Sequence, residues 1–288
     1  MGYLLMLLTN FIAGISTILS KNYVNKTASF KSSKTIYILL AHPLAAIYFL
    51  VISGGNVPIN SATFLFSTVY ALVCLISIII SLKAYEKTNL IYMSVFSGAG
   101  AVIVPLLIEL IQKTEFSLNI YFSVAARLVA VGVPLLFSSS TDKKGLGICV
   151  AMFFSSGASG IIPKLYAQSN AVTTNESFCF WTNIIILPIV FLIIILSKDR
   201  KIIWDDMKKM KPKHYAPIFL CTAISNVSSL IMLYVLTLVN ATVRAVFASS
   251  VGMIVTTCIS VFIFKEKFRI QQLICIVFSI ASIVLNVL

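Results

Sequence analysis

Long apolar runs follow one another along this chain of 288 residues, and short polar connections separate them. A helix that crosses a bilayer needs roughly 20 apolar residues. Ten runs are about that long, and they lie at about 3–20, 35–53, 62–82, 89–111, 118–137, 146–168, 177–197, 215–238, 241–264 and 270–287. Only the connection at 198–214 is both long and polar. The pattern predicts ten membrane spans, numbered 1 to 10 here, and no soluble domain.

The predicted spans should be α-helices. In lipid every backbone amide must be satisfied within its own segment or in a closed barrel. Barrel strands would show alternating segments of about ten residues, whereas these runs are longer and uniformly apolar. We therefore expect an all-α integral membrane protein, a multi-pass protein of a cell membrane, specifically a bacterial inner or plasma membrane.

Composition supports a membrane protein and argues against a soluble domain and against a nucleic-acid-binding protein. The chain is 59% hydrophobic and 11% charged, with a mean hydropathy of +1.01, whereas soluble domains are nearer half apolar and a quarter charged. The net charge of +13 could suggest a nucleic-acid partner. The basic residues instead lie in short tracts between apolar runs, where they would face anionic lipid headgroups. We expect membrane lipids as partners and no nucleic acid.

The same charges predict an orientation. Of the 22 Lys and Arg, 18 lie in the connections after spans 1, 3, 5, 7 and 9, and only Lys113 and Lys164 lie in the opposite set. Cytoplasmic loops carry the excess of positive charge. The first set of connections should therefore face the cytoplasm, and both termini should face outside.

One segment occurs twice. Residues 11–23 read FIAGISTILSKNY and residues 154–166 read FSSGASGIIPKLY, so Gly14 matches Gly157 and Lys21 matches Lys164 at an offset of 143. A second match, at an offset of 151, aligns 89–116 with 240–267. These matches divide the chain into an N-terminal half at 1–138, a linker at 139–144 and a C-terminal half at 145–288.

Each half would contain five spans. Because five is odd, two successive copies must cross the membrane in opposite directions. The expected architecture is therefore two inverted five-helix repeats, an arrangement that is typical of alternating-access transporters with a site near the midplane.

These motifs resemble those of the drug/metabolite transporter superfamily, and specifically its ten-span EamA-like members. That family carries a pattern close to W-G-x-x-x-x-x-x-x-K in spans 1 and 6, which Gly14 with Lys21 and Gly157 with Lys164 match. Its spans 4 and 9 end near L-G-E-R, which residues 265–267 (KEK) resemble and residues 114–116 (TEF) resemble more weakly.

The chain also departs from the family pattern. Ala13 and Ser156 stand where the family has Trp, and Phe264 stands where it has Gly before the Glu. An aromatic wall of the family's cavity is therefore expected to be missing. The resemblance implies transport of a small organic metabolite, an amino acid or similar, with export as the favoured direction.

Polar and small residues form stripes on the predicted helices. Asn10, Gly14 and Thr17 share one face of span 1, and Gly157 takes the matching place in span 6. Such stripes either open onto a substrate cavity or let helices approach closely. Both readings stay open for these four residues.

Further candidate substrate contacts lie in other spans. They are Ser97 in span 4, Trp181 and Asn183 in span 7, and Asn226 in span 8. Trp181 could line an apolar site or bind a quaternary ammonium group. It could equally belong to an aromatic belt at the membrane surface.

Ionisable residues inside spans are costly and therefore raise a functional hypothesis. Glu109 and His42 are the candidate coupling residues, with protons as the coupling ion, and Arg244 could attract a carboxylate. Glu109 could instead interact with Lys113 four residues later or with Arg127 in the next span. Arg244 could instead bind headgroups, and His42 could be a packing residue beside Pro43.

The sequence carries no recognised enzyme or metal motif. We therefore expect no catalytic residues, no metal and no cofactor. The predicted function is secondary-active transport of a small molecule by a monomer or homodimer. The alternatives are uptake of a choline-like quaternary ammonium compound, or a non-transporting membrane protein such as a scramblase or receptor.

Overall fold

The computed structural model describes residues 2–87, 90–136, 143–169, 173–197, 199–265 and 270–288, and all regular structure in these ranges is helical. The helices are α1 (Gly2–Lys26), α2 (Ser33–Ile52), α3 (Ser61–Lys87), α4 (Leu90–Ile111), α5 (Leu118–Leu136), α6 (Lys143–Gln168), α7 (Asn175–Leu196), α8 (Arg200–Lys209), α9 (Pro212–Leu238), α10 (Ala241–Cys258) and α11 (Ile270–Val287). One π-helical turn, Ile259–Ile263, continues α10.

Every predicted span coincides with one of the long helices. Seven of these are long and apolar enough to cross a membrane. The remaining three, α4, α5 and α11, contain shorter apolar segments at Phe96–Ile111, Leu118–Ala130 and Leu273–Val287. The all-helical fold with several membrane-spanning helices is confirmed, and the count of ten spans stays a prediction.

The outer faces of the helices are apolar. Leu4, Ile111, Leu196 and Phe262 are 68%, 80%, 74% and 79% exposed, and many other large apolar side chains lie beside them on the surface. A water-facing protein rarely exposes apolar patches of this extent. The surface therefore suits lipid.

Helix α8 lies in the connection at 198–214, for which the sequence predicted only a polar loop. Its side chains at Ile203 and Asp206 are buried, whereas Trp204 is half exposed. Asp206 Oδ2 accepts a hydrogen bond from the backbone N–H of Ser32 at 3.0 Å. Hydropathy alone missed this helix because its apolar residues cover only one face of a charged segment.

Two basic connections meet at one end of the bundle. The contact between Asp206 and Ser32 joins α8 to the connection between α1 and α2. Beside it, Lys34 at the start of α2 forms an ion pair with Glu86 near the end of α3. These contacts gather connections that the charge pattern assigns to the cytoplasm.

The opposite end joins connections that carry few charges. Trp181 Nε1 donates a hydrogen bond to the Val57 carbonyl at 3.2 Å, which links α7 to the connection between α2 and α3. The Tyr3 hydroxyl donates to the Asn286 carbonyl at 2.9 Å. The two ends of the chain therefore lie together at this end of the bundle.

The helices pair in a regular way. Helix α2 packs against α7, α4 against α10, and α5 against α11. In addition α1 packs against α9 and α10, whereas α6 packs against α3 and α4. A cavity bounded by these pairs lies in the interior, and it contains most of the residues that the sequence singled out.

Close approach of α4 and α6 depends on two glycines. A Cβ on Gly100 would lie 1.8 Å from the Phe153 carbonyl oxygen, and one on Gly157 would lie 2.4 Å from Val104 Cγ2. Small residues permit such approach between membrane helices, where dispersion contacts supply the attraction. Gly157 therefore serves helix packing.

Candidate functional site

Two adjoining cavities occupy the interior of the bundle. Their volumes are about 310 and 450 Å³, within the range of sites that hold small ligands. They share four lining residues, Ser97, Ala101, Gly160 and Arg244. We treat them as one space, the central cavity. Residues from both halves of the chain line it.

The small and polar stripe of α1 faces the first part of this cavity. Asn10, Gly14 and Thr17 all line it, as their helical spacing suggested. Asn10 Nδ2 donates to the Met6 carbonyl at 2.7 Å. Gly14 also packs closely on α10, since a Cβ there would lie 2.5 Å from Val255 Cγ1. Both readings of the stripe therefore apply to Gly14.

The matching glycine of α6 behaves differently. Gly157 is not among the cavity-lining residues within the described ranges, and it contacts Val104 and Gly100 instead. One turn further along α6, Gly160 does line both parts of the cavity. The helix-packing reading therefore fits Gly157, because the close α4–α6 contact fills the space beside it, and its role in substrate binding stays a prediction.

Ser97 stands at the junction of the two parts. It lines both, and its carbonyl oxygen accepts a hydrogen bond from Ser156 Oγ at 2.7 Å. That bond links α4 to α6 across the two halves.

Amide and imidazole groups line the second part. His42 Nδ1 donates to Asn183 Oδ1 at 2.7 Å, and Asn183 Nδ2 donates to the Cys179 carbonyl at 2.8 Å. His42 Nε2 and Asn226 Nδ2 are buried without a hydrogen-bond partner among the described residues. Both residues face a third adjoining cavity of about 300 Å³. A ligand here could donate a hydrogen bond to His42 Nε2 and accept one from Asn226 Nδ2.

Arg244 is the charged residue of the cavity. It follows the start of α10 by one turn and lines both parts. Its Nε is buried and has no hydrogen-bond partner in the part of the chain that the structure describes. The lining otherwise contains no Asp, Glu or Lys in the described ranges.

Trp181 lies away from this cavity lining as far as the described residues show. Its indole bonds to Val57 and its ring packs edge-on against Phe180. The aromatic-belt reading therefore fits it better than a role in substrate contact. An aromatic wall is present elsewhere: Tyr70 and Phe178 line the second part and stack on each other with centroids 5.2 Å apart.

Glu109 is fully buried and lies at a contact between three helices. Its carboxylate forms an ion pair with Lys164 of α6. It also accepts the backbone N–H groups of Ala241 and Thr242 at 2.9 and 3.1 Å. These are among the free amides at the start of α10, where the helix dipole favours negative charge. Glu109 therefore pairs with Lys164, and not with Lys113 or Arg127, the partners that the sequence suggested.

Arg127 has other partners. Its guanidinium donates to Ser249 Oγ at 3.0 Å, to Met253 Sδ at 3.0 Å and to Ser279 Oγ at 3.2 Å. It is fully buried, so it does not extend toward the membrane surface. The side chain joins α5 to α10 and α11, which is a structural role.

The two lysines of the repeated motif lie at opposite ends of α10. Lys164 binds Glu109 beside the first residues of that helix. Lys21 lies over the ring of Phe264, just beyond the π-helical turn, with its Nζ 4.2 Å from the ring centroid. From 241 to 263 a helix extends about 35 Å. Lys164 is buried.

Sequence reasoning missed the partner of Glu109 and the aromatic wall. Lys164 had been singled out as a motif residue, but nothing in the sequence places it beside a carboxylate 55 positions earlier. Of the motif at 265–267, residues 266 and 267 lie outside the described ranges, and most of the predicted linker at 139–144 does too. Within the described residues no three His, Cys, Asp or Glu side chains are grouped as a metal site would need.

Comparison with known proteins gives three findings. A protein-family model described as the EamA-like transporter family matches residues 143–288, slightly more than half of the chain. No curated protein sequence matches the chain significantly. A solved structure described only as the crystal structure of a protein aligns with a TM-score of 0.58 at 10% identity, covering 96% of this chain and 95% of the other. That likeness shows a shared fold along the whole length.

Proposed function

Because the chain belongs to the EamA-like transporter family and is a multi-pass membrane protein, we propose that it carries a small organic metabolite across the membrane by alternating access. The proposal includes ten spans arranged as two inverted five-helix repeats, 1–138 and 145–288. It also places the solute in the central cavity.

The positions of the repeated lysines carry this proposal. Lys21 and Lys164 occupy matching places in the two copies of one motif, yet they contact opposite ends of α10. Copies that crossed the membrane in the same direction would bring matching residues to the same end. The arrangement is the one expected of inverted repeats.

The helix pairs support the same symmetry. Exchange of the two halves converts the α1–α9 pair into the α6–α3 pair, and the α1–α10 pair into the α6–α4 pair. All four pairs are present. Three further pairs, α2–α7, α4–α10 and α5–α11, each join a helix to its own counterpart. An axis of pseudo-symmetry would then pass through the central cavity.

The ion pair of Glu109 and Lys164 serves in this proposal as the outer gate. It joins α4 of one half to α6 and α10 of the other. Opening toward the outside requires these helices to separate, and the separation breaks the ion pair. Lys21 and Phe264 occupy the equivalent place at the cytoplasmic end.

His42 is the better placed of the two candidate coupling residues. It lines the cavity, whereas the carboxylate of Glu109 is occupied by Lys164 and two amides. A proton taken up at His42 Nε2 would add charge next to the solute. We propose proton coupling through His42, with export as the direction and a bacterial plasma membrane as the location. The unit is a monomer or a homodimer.

The choline-like alternative has less support from the cavity. Trp181 was its predicted cation-binding residue and lies outside the described lining, while Arg244 adds a positive charge to that lining. Tyr70 and Phe178 offer aromatic faces to a cation in the second part, but the described lining contains no carboxylate that would balance its charge.

Release of metabolites from proteoliposomes tests the proposal. Vesicles with the purified chain are loaded with a mixture of bacterial metabolites, and mass spectrometry follows the solutes that leave. We expect a restricted set of small solutes to leave only from vesicles that contain the protein. Release of no solute above protein-free vesicles would contradict transport. Movement of a fluorescent lipid between leaflets, in the same vesicles, would favour a scramblase.

A further inference from the structure

The charge balance of the central cavity is uneven. Arg244 lines both parts of it, and its Nε lacks a hydrogen-bond partner among the described residues. The described lining supplies no carboxylate to balance that charge. Glu109 is near the start of the same helix, but Lys164 and the amides of α10 already occupy its carboxylate.

An unbalanced guanidinium inside a membrane protein is expensive to bury. Arginine cannot lose its charge in a protein. A structural arginine would therefore be expected to find partners, as Arg127 does with Ser249, Met253 and Ser279. Arg127 Nη2 is also unpartnered among the described residues, but Arg127 bonds through Nε and Nη1. The side chain of Arg244, by contrast, has no hydrogen bond to the described residues, although it lies on the same helix as Ser249 and Met253. Its charge is thus available to a ligand.

A second donor that is unpartnered among the described residues lines the second part of the cavity. Asn226 Nδ2 is a buried donor without a partner in the described ranges, and it lines the second part of the cavity with Arg244. Two N–H donors, one of them charged, form a suitable pair for the oxygens of a carboxylate. Tyr70 and Phe178 supply an apolar wall beside them for the rest of the ligand.

We propose that the solute is a small organic anion without a compensating amine, and that its carboxylate binds Arg244. This rests on the proposed function, because it assigns a charge class to the solute of the same cavity. An amino acid would bring an ammonium group as well, and the described lining offers that group no carboxylate. The inference therefore favours a simple carboxylic acid as the solute over the amino acid that the sequence suggested.

Ligands of equal shape and different charge test the inference. Two sets are used with the purified full chain: butanoate, 2-aminobutanoate, butylammonium and butanamide; and benzoate, phenylglycine, benzylammonium and benzamide. Binding is followed as the rise in melting temperature with ligand concentration, since a ligand of the folded state stabilises it. If any member of a set binds, we expect the carboxylic acid of that set to bind most tightly.

Variants of Arg244 locate the binding. Arg244→Gln should weaken binding of the acid by about 10- to 100-fold, the range that corresponds to loss of a charged hydrogen bond. Arg244→Lys keeps the positive charge and should weaken binding of the acid less than Arg244→Gln does. Arg200→Gln removes an arginine from the exposed face of α8 and should leave binding unchanged. The unliganded Arg244→Gln protein should melt no lower than the unmodified chain, because its buried charge is unbalanced.

The outcomes separate this inference from the transport proposal. Tighter binding of the amino acid or the amine, or binding of the acid that survives Arg244→Gln, would overturn the inference. If amino acids or amines were then released from proteoliposomes, transport would stand. If no member of either set bound, the inference would fail. Release of no metabolite from proteoliposomes would reject transport as well.

Discussion

The carboxylate of Glu109 and the ammonium group of Lys164 form a buried ion pair at the start of α10. Two backbone N–H groups of that helix, those of Ala241 and Thr242, bind the same carboxylate at 2.9 and 3.1 Å. The arrangement joins helices from both halves of the chain at a single point. Breaking it should therefore affect both the stability of the protein and its access to the outside.

Glu109→Gln should destabilise the closed protein strongly. The amide keeps an acceptor for α10 but leaves the charge of Lys164 buried and unpaired, a change that costs roughly 3–5 kcal/mol at buried pairs. Glu86→Gln is the matched control, because its ion pair with Lys34 is partly exposed and such pairs contribute about 0–1 kcal/mol. Thermal unfolding in detergent compares the two. If both variants lowered the melting temperature by the same small amount, the result would contradict a gate held by the Glu109–Lys164 pair.

A second change should rescue the first. Combining Glu109→Gln with Lys164→Met removes the unpaired ammonium and leaves an apolar side chain of similar length. Replacement of a whole buried pair is often neutral. We expect the double variant to melt well above Glu109→Gln alone. A double variant as unstable as the sum of its parts would show that the two groups act independently.

Gly100→Ala should disrupt the α4–α6 contact. The new Cβ would meet the Phe153 carbonyl at 1.8 Å, and backbone atoms cannot yield as a flexible side chain can. Overpacking of this kind costs about 1–3 kcal/mol. Gly147→Ala in α6 is the control, because nothing described lies within 4 Å of its Cβ and alanine favours a helix by about 1 kcal/mol. Similar melting temperatures for both variants would be contrary to the packing described.

Orientation can be measured at two exposed positions. Asn56 lies in the connection after α2 and Lys201 lies on α8, both exposed. In a cysteine-free background, Asn56→Cys should react with an impermeant maleimide on intact cells. Lys201→Cys should react only after permeabilisation. Reaction of both positions from one side would exclude the predicted topology.

His42→Ala should weaken coupling of transport to a pH gradient. The imidazole lines the cavity and bonds to Asn183, so its loss removes the titrating group beside the solute. His214→Ala is the control, since His214 lies near the start of α9 and its Nδ1 accepts the Lys211 backbone N–H. Flux into proteoliposomes with and without a pH gradient checks this. Unchanged pH-driven flux in His42→Ala would reject proton coupling through His42.

The sequence predicted the helices well because apolar runs long enough to span a bilayer allow few alternatives. The inverted repeat, which stays a prediction, accounts for the positions of Lys21 and Lys164 at opposite ends of α10. Partners across the bundle could not be predicted, since Lys164 and Glu109 are brought together only by packing of α4 on α6. The sequence left two readings open for Gly157 for the same reason, because a small residue fits equally well at a cavity and at a helix contact.

Access to Ser97 from the two sides of the membrane tests alternating access most directly. Ser97 lines both parts of the central cavity. Ser97→Cys in a cysteine-free protein is labelled with an impermeant thiol reagent in right-side-out and inside-out vesicles. We predict labelling from both sides, and faster labelling from outside when Glu109→Gln opens the gate. Labelling from one side only, unchanged by Glu109→Gln, would contradict the account.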